Sequence, residues 1–218
     1  MKRPKICAVI VNNDIEAVRN VEPLVDLFEV RIDLIGEGWR ELAKNVKKPW
    51  IATNRSASEG GNWRGSEFQR IKELLGALEL KPAIVDIELA TENLGEIISQ
   101  VKKRARCLLS YHNLDATPPL EKMHEIVQNQ LFSGADICKV VTTAQKFEDN
   151  LSVLQLISDF PKAKVISFAM GTLGYVSRIL CPLVGGEFIY ASTEVGKESA
   201  SGQITVRDLR KIYEVLKV

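Results

Sequence analysis

The sequence predicts a single α/β domain, residues 1–218, folded as a (β/α)8 TIM barrel. Short apolar runs rich in β-branched residues alternate with helical patterns from end to end, and there are eight such runs. No linker, low-complexity stretch or change in composition divides the chain. The alternative is a doubly wound open sheet, which usually carries a glycine-rich loop after its first strand. Here Asn12, Asn13 and Asp14 follow the first run instead, which favours the barrel.

Each strand prediction is a short apolar run, because both faces of a parallel strand are covered. The predicted strands are 6–11, 27–33, 50–55, 83–89, 106–112, 136–142, 164–170 and 187–192. The helices between them show apolar residues at helical spacing, and Asp14, Ser66 and Thr205 are suitable caps. The predicted helices are 14–24, 38–46, 66–80, 91–104, 119–132, 143–160 and 205–216. Because it contains Gly174 and Pro182, the stretch 172–183 is predicted to be a loop with a short helix.

Composition excludes several classes of protein. The 29 Lys and Arg residues nearly balance the 28 Asp and Glu residues, so nothing indicates a nucleic-acid or acidic membrane partner. No apolar run approaches the roughly 18 residues of a membrane span. The first apolar run is too short for a signal peptide, so we expect a cytoplasmic protein. Four scattered cysteines and two histidines indicate buried thiols, with no disulfide framework and no metal site.

Lys139 lies inside the sixth predicted strand, in an otherwise apolar run. Lysine is seldom buried without a partner. A desolvated amine tends to lose its proton, and a neutral amine attacks ketones and aldehydes. This position therefore predicts a Schiff-base lysine, with a structural ion pair or a lysine reaching water as the alternatives.

The second strand carries Glu29, Arg31 and Asp33 at alternating positions, which places all three on one face. Three charges on a covered face pair with one another or bind a polyhydroxylated ligand. The fourth strand repeats the pattern with Asp86 and Glu88, for which a structural role in balancing charge is favoured.

The third and fifth strands end in further polar candidates, and catalytic residues of barrel enzymes lie at such strand ends. Arg55 ends the third strand, and Glu59 in the loop after it is suited to orient a base. The alternatives are a mobile surface loop and a salt bridge. His112 ends the fifth strand, where a general acid–base is expected. His124 is expected to be a solvated surface group. Lys139 on the sixth strand can approach His112.

The last two loops contribute binding candidates. Arg178 follows a glycine-containing loop and is suited to hold a carboxylate in a bidentate manner, with a surface pair as the alternative. Small and polar residues at 196–204 predict a mobile lid before the last helix.

Together these segments resemble the type I 3-dehydroquinate dehydratases, Schiff-base enzymes of the shikimate pathway. The resemblance covers nearly the whole chain in order. The matching segments are 29–33, Arg55 with 59–61, 86–88, 110–112, 136–139, 177–178 and 199–203.

The resemblance implies a lyase that converts 3-dehydroquinate to 3-dehydroshikimate without a metal or organic cofactor. It implies that Lys139 forms the Schiff base, that His112 is the general acid–base and that Glu59 orients His112. The implied substrate-binding residues are Glu29, Arg31, Arg55, Arg178, Ser199, Gln203 and Met170. A homodimer is also expected, because many members of the family are dimers.

Two positions depart from the family pattern. Ser201 replaces the usual lid proline, and Phe168 replaces a frequent methionine. Tyr190 is the aromatic residue expected near the end of the eighth strand. The runner-up function is a class I aldolase acting on phosphorylated sugars. A third alternative is an inactive barrel that binds or regulates, against which the complete set of Glu59, His112 and Lys139 argues.

Overall fold

The computed structural model describes residues 3–218 and has eight parallel strands arranged as a nearly closed barrel. The (β/α)8 prediction is therefore confirmed. From the first strand to the seventh, each strand pairs with the next one along the chain, and the eighth pairs with the first. The strands are β1 (Ile6–Ile10), β2 (Leu27–Arg31), β3 (Trp50–Thr53), β4 (Ile84–Glu88), β5 (Arg106–His112), β6 (Ile137–Thr143), β7 (Val165–Met170) and β8 (Ile189–Ser192).

Helices surround the sheet, and three of them begin at the predicted caps. The Asp14 and Thr205 side chains accept from backbone N–H groups in the first turns of α1 and α9, and Ser66 forms a reciprocal capping box with Gln69. The helices are α1 (Ile15–Val21), α2 (Ile32–Ile35), α3 (Trp39–Asn45), α4 (Glu67–Gly76), α5 (Leu94–Val101), α6 (Leu120–Phe132), α7 (Asp149–Asp159), α8 (Tyr175–Leu180) and α9 (Val206–Val215).

The strands divide their side chains between two environments. Apolar residues such as Val30, Val85 and Val140 belong to the main core, which includes buried helix residues such as Val127. Alternate strand positions point to the opposite face, the barrel interior. Near the carboxyl ends of the strands, these interior positions carry charged residues.

Several element boundaries differ from the prediction. Strand β3, predicted over 50–55, ends at Thr53, so Arg55 lies in the loop after the strand. Strand β2 ends at Arg31, and Asp33 lies in the short helix α2, where its carboxylate accepts from the side chain of Arg31 and the backbone N–H groups of Arg55 and Asn62. The interpretation of three alternating charges on one strand is therefore wrong for Asp33. The helix predicted over 143–160 begins only at Asp149, because β6 continues to Thr143.

The junction between β7 and β8 is the weakest in the barrel. No backbone ladder joins these strands in the part of the chain that the structure describes. The Glu187 N–H donates to the Val165 carbonyl near the amino-terminal end of the junction. Nearer the middle, the rings of Phe168 and Tyr190 lie 6.3 Å apart between centroids.

The remaining structural predictions concern cysteines and membrane helices. The four cysteines are free and buried, as predicted. Among residues 3–218, no helix combines the length and the apolar character needed to span a bilayer.

Candidate active site

All ten predicted site residues line one cavity at the carboxyl ends of the strands. Its volume is about 340 Å³. Strands β2, β5, β6, β7 and β8, helix α8 and the loops after β3 and β8 contribute to its wall, as expected for the functional end of a barrel. The predicted residues in the lining are Glu29, Arg31, Arg55, Glu59, His112, Lys139, Met170, Arg178, Ser199 and Gln203.

Lys139 points into this cavity from β6 and is 5% exposed. Its Nζ donates to Oδ2 of Asp86 at 3.0 Å and lies 3.9 Å from Oε1 of Glu29. The sequence interpretation considered desolvation first, whereas the structure pairs the buried amine with two carboxylates. Nζ also lies 4.3 Å from the centroid of the Tyr190 ring. The amine is therefore held at a defined point in the cavity.

His112 and Glu59 form a buried pair at the cavity wall. Nδ1 of His112 lies 2.8 Å from Oε2 of Glu59. Burial, assisted by the positive charges of Arg55 and Lys139, holds the pKa of His112 well below its ordinary 6.5. Burial also raises the pKa of Glu59 to about 7, although Arg55 opposes this shift. The imidazole is consequently neutral at pH 7, as a general base requires.

A close approach of the backbone fixes the loop that carries Glu59. A Cβ atom on Gly61 would lie 2.0 Å from the carbonyl oxygen of Arg55, so only glycine fits there. Gly60 has φ of +79°, which favours glycine for a separate reason. The Gly-Gly pair thus turns the chain tightly after Glu59 and keeps its carboxylate beside His112.

Arg55 is the centre of a buried charge network. Its guanidinium lies 2.7 Å from Asp86, 3.1 Å from Glu88 and 3.9 Å from Glu59, and it donates to Oγ of Ser110 at 2.6 Å. Burial opposes ionisation of Arg55, but the carboxylates of Asp86, Glu88 and Glu59 together raise its pKa. The charge of Arg55 is therefore balanced by carboxylates of the protein, which makes Arg55 an organiser of charge as well as part of the cavity wall.

The network extends outward through Glu88. Its Oε2 accepts from Nη1 of Arg70, a buried residue of α4, at 2.6 Å. The same Arg70 nitrogen donates to the backbone carbonyl of Asn54 at 2.6 Å. Asp86 and Glu88 thus balance the charges of Arg55, Lys139 and Arg70. The sequence interpretation had placed them beside Lys139 and Arg31, of which only Lys139 is a partner. For Asp86, burial acts in the opposite direction, yet Arg55 and Lys139 keep its carboxyl pKa low.

Glu29 and Arg31 face the cavity from β2. Oε1 of Glu29 accepts from the Thr53 hydroxyl at 2.8 Å. Nε and Nη2 of Arg31 donate to the two carboxylate oxygens of Asp33 at 2.9 and 2.7 Å, in a bidentate pair. The pair fixes the plane of the guanidinium and leaves the Nη1 donors of Arg31 to a ligand.

Arg178 lies on α8 and is 2% exposed, so the alternative of a surface pair is wrong. Its guanidinium stacks on the Phe168 ring at 4.5 Å. Nη2 donates to the Ser201 carbonyl at 3.1 Å, and Nε is buried without a partner in residues 3–218. Burial lowers the pKa of Arg178 to about 10, so the group is still charged at pH 7. A buried cation with an unused donor is well suited to bind an anionic group.

Residues 199–201 and 203 of the segment 196–204 line the cavity, at the place where a mobile lid is predicted. The mobility of the segment stays a prediction. Gln203 accepts from the backbone N–H of Ser199 at 2.8 Å, and the Ser201 carbonyl accepts from the Gly171 N–H at 3.2 Å. Gly202 has φ of +76°, and a Cβ there would lie 2.5 Å from the Gly171 carbonyl. Ser201, the departure from the family proline, thus contributes its carbonyl to two contacts that hold the lid.

Sequence reasoning missed or left undecided some residues of the cavity wall. Phe168 and Tyr190 were noted without a role, and Thr143 was assigned to a helix. The sequence could have indicated a role for the two aromatic residues, because they alternate with outward-facing residues near strand ends and so point into the barrel. Away from the cavity, His124 is one-third exposed and lies 2.8 Å from Asp159, so it is paired as well as solvated.

The family model described as Type I 3-dehydroquinase matches residues 6–218. A 3-dehydroquinate dehydratase from Dehalococcoides mccartyi (strain BAV1) is 42% identical, and the match covers 98% of this chain and 96% of the relative.

Solved structures agree as well. The 3-dehydroquinate dehydratase of Geobacillus kaustophilus superposes with a TM-score of 0.87 at 27% identity, covering 99% of this chain and 92% of the other. The type I enzyme of Clostridium difficile, at 23% identity and a TM-score of 0.88, shares the fold over 99% of this chain and 93% of the other. The chain therefore belongs to the type I 3-dehydroquinase family.

Proposed function

We propose that this protein removes water from 3-dehydroquinate to give 3-dehydroshikimate through an imine on Lys139, with residues 1–218 acting as one catalytic domain. The curated relatives carry the name 3-dehydroquinate dehydratase, a hydro-lyase of the shikimate pathway. The observation that carries the proposal is a buried amine in the same cavity as a neutral imidazole that is fixed by a carboxylate.

The chemistry begins at Lys139. After His112 takes a proton from it, Nζ attacks the C3 ketone, and the resulting carbinolamine loses water to give a protonated imine. The imine withdraws electrons, so the adjacent C2 proton becomes acidic. His112 removes that proton with Nε2 while Nδ1–H donates to Glu59, and an enamine forms.

His112 then returns the proton to the C1 hydroxyl, which leaves as water as the enamine electrons move back. Hydrolysis of the product imine releases 3-dehydroshikimate and restores the amine. No metal or organic cofactor enters the proposal, because the lysine imine serves as the electron sink.

The cavity wall suits this substrate. Arg178 would bind the substrate carboxylate, supported by its burial and its unused Nε donor. Glu29, Arg31 and Arg55 would contact ring hydroxyls, with Arg31 in the best position to donate because Arg55 is largely committed to carboxylates. Ser199 and Gln203 would close over the ligand from the lid, and Met170 would pack against its ring.

Two further parts of the proposal concern the protein in the cell. Four free buried cysteines fit a reducing compartment, which supports a cytoplasmic location. The homodimer stays a prediction from the family resemblance.

Trapping with borohydride tests the proposed reaction. The protein is mixed with 3-dehydroquinate, reduced, and examined by intact mass and peptide mapping, with Lys139→Ala as the control. A stable adduct on the peptide containing Lys139, absent from the variant, is expected. A folded protein that turns over substrate without any trapped adduct contradicts the imine mechanism. A phosphorylated keto-sugar in the same assay tests the aldolase alternative.

A further inference from the structure

The Tyr190 ring forms part of the floor of the cavity, directly against the proposed nucleophile. Nζ of Lys139 lies 4.3 Å from the ring centroid, within the range of a cation–π contact. Tyr190 is 4% exposed and lies on β8, where its backbone is in register with Cys7 of β1. The ring is thus the one aromatic face that contacts the amine in residues 3–218.

Neighbouring aromatic rings hold Tyr190 in this orientation. Phe188 packs edge-on against it at 5.4 Å between centroids, and Phe168 lies on its other side at 6.3 Å. Phe168 in turn carries the Arg178 guanidinium at 4.5 Å. Lys139 and Arg178, two cations of the cavity wall, therefore each lie against an aromatic face.

The hydroxyl group does not explain the position of the ring. The Tyr190 oxygen is buried and has no hydrogen-bond partner anywhere in residues 3–218. An unpartnered buried hydroxyl costs stability, so some other interaction keeps the side chain here. Burial, reinforced by the charges of Glu29 and Asp86, raises the pKa of Tyr190, and the ring is therefore a neutral phenol.

We propose that the face of the Tyr190 ring stabilises the positive charge that develops on the Lys139 nitrogen as the imine forms, a role that rests on the proposed function. In this step the neutral carbinolamine hydroxyl takes from His112 the proton that the Lys139 ammonium gave up before attack, and it leaves as water. The nitrogen lone pair forms the C=N bond, and the nitrogen becomes cationic.

The need for such a partner follows from counting N–H groups. The ammonium of free Lys139 has three donors, one of which reaches Asp86 at 3.0 Å. The protonated imine keeps one N–H donor. Hydrogen bonds to carboxylates therefore stabilise the protonated imine less than they stabilise the ammonium. The attraction to a π face needs no N–H, and it increases in a site from which water is excluded. Tyr190 thus acts on the charged imine when hydrogen bonding is reduced.

Graded fluorination of the ring tests the proposal, because fluorine weakens the cation–π attraction with little change in shape. The series runs from Tyr190→Phe through mono-, di- and trifluorophenylalanine at position 190. The rate of imine formation is measured in single turnover by borohydride quenching and intact mass. We expect a stepwise fall of about 10-fold across the series. Equal rates in all four variants overturn the proposal.

A leucine pair provides the second test. Tyr213 is also a buried tyrosine, 2% exposed, but lies on α9 outside the cavity lining. Per folded molecule, Tyr190→Leu is expected to form the imine about 10-fold more slowly than Tyr213→Leu. Equal rates in the two variants overturn the proposal.

Failure of the proposed function itself is distinguishable. If the unsubstituted protein gives no borohydride adduct with 3-dehydroquinate, the imine mechanism fails, and the role of Tyr190 fails with it. If the unsubstituted protein is trapped but the fluorinated series shows no gradient, the imine mechanism stands and only the role of Tyr190 fails.

Discussion

Replacing Glu59 by glutamine removes a carboxyl group that is costly to ionise in the folded protein. In the folded protein the pKa of this carboxyl group is raised from 4.5 to about 7, chiefly by burial. At about 1.4 kcal/mol for each pH unit between the two values, the folded state loses about 3 kcal/mol when the group ionises. The side chain is only 11% exposed, so solvent screening reduces this figure little.

The sign of the effect is fixed by the direction of the shift. A raised pKa gives stability that is fully present below pH 4.5 and is lost as the pH rises through about 7. Glutamine does not titrate. The free energy of unfolding of Glu59→Gln, relative to the unsubstituted protein, should therefore increase by about 3 kcal/mol between pH 4.5 and pH 8.

Urea unfolding at pH 5, 6, 7 and 8 measures this difference directly. The control is Glu125→Gln, because Glu125 is an exposed residue of α6 paired with Lys122, and water screens its charge. The free energy of unfolding of Glu125→Gln, relative to the unsubstituted protein, should not change between pH 5 and pH 8. A flat or falling difference for Glu59→Gln would refute the claim that burial dominates the environment of this carboxyl.

Three further outcomes are expected. Below about pH 7, kcat/KM should fall roughly tenfold per pH unit as the Glu59–His112 pair takes up a proton, and a pH–rate profile of Glu59→Gln should lack that limb. Arg178→Lys should raise KM about 30-fold with a smaller effect on kcat, because an ammonium cannot bind a carboxylate in a bidentate manner. Steady-state kinetics measure both constants, and an unchanged KM would exclude Arg178 as the carboxylate ligand. Arg70→Met should destabilise the fold by about 3 kcal/mol, since the buried Glu88 loses one of its two cationic partners and keeps only Arg55. Denaturant unfolding measures the loss, and the double variant with Glu88→Gln should recover part of it.

The strands and the positions of the site residues were predictable because both depend on local pattern. Eight apolar β-branched runs indicate a barrel, and a barrel brings its strand ends to one face. His112 follows from this rule, since it ends β5. Lys139 lies nearer the middle of β6 and was predicted from its charge within an apolar run. The loop residue Glu59 followed from the family resemblance as much as from its spacing.

Side-chain pairing was less predictable, because it depends on geometry between distant segments. Asp33 has the spacing of a strand residue, but its contacts with Arg55 and Asn62 stabilise a helical turn. Arg55 had several carboxylates within reach in the sequence, and only the packed interior selects Asp86 and Glu88. Burial of Arg178 depends on the Phe168 ring and the lid, neither of which local periodicity describes.

Among the described residues, the junction between β7 and β8 lacks the backbone hydrogen-bond ladder that connects the other neighbouring strands of the barrel. A backbone ladder tolerates almost any side chain, because its hydrogen bonds belong to the main chain. Here the rings of Phe168 and Tyr190 occupy the place of such a ladder. The same two rings contact Arg178 and Lys139, so selection on substrate binding and selection on barrel closure act on the same atoms. Neither ring can change for one purpose without consequence for the other.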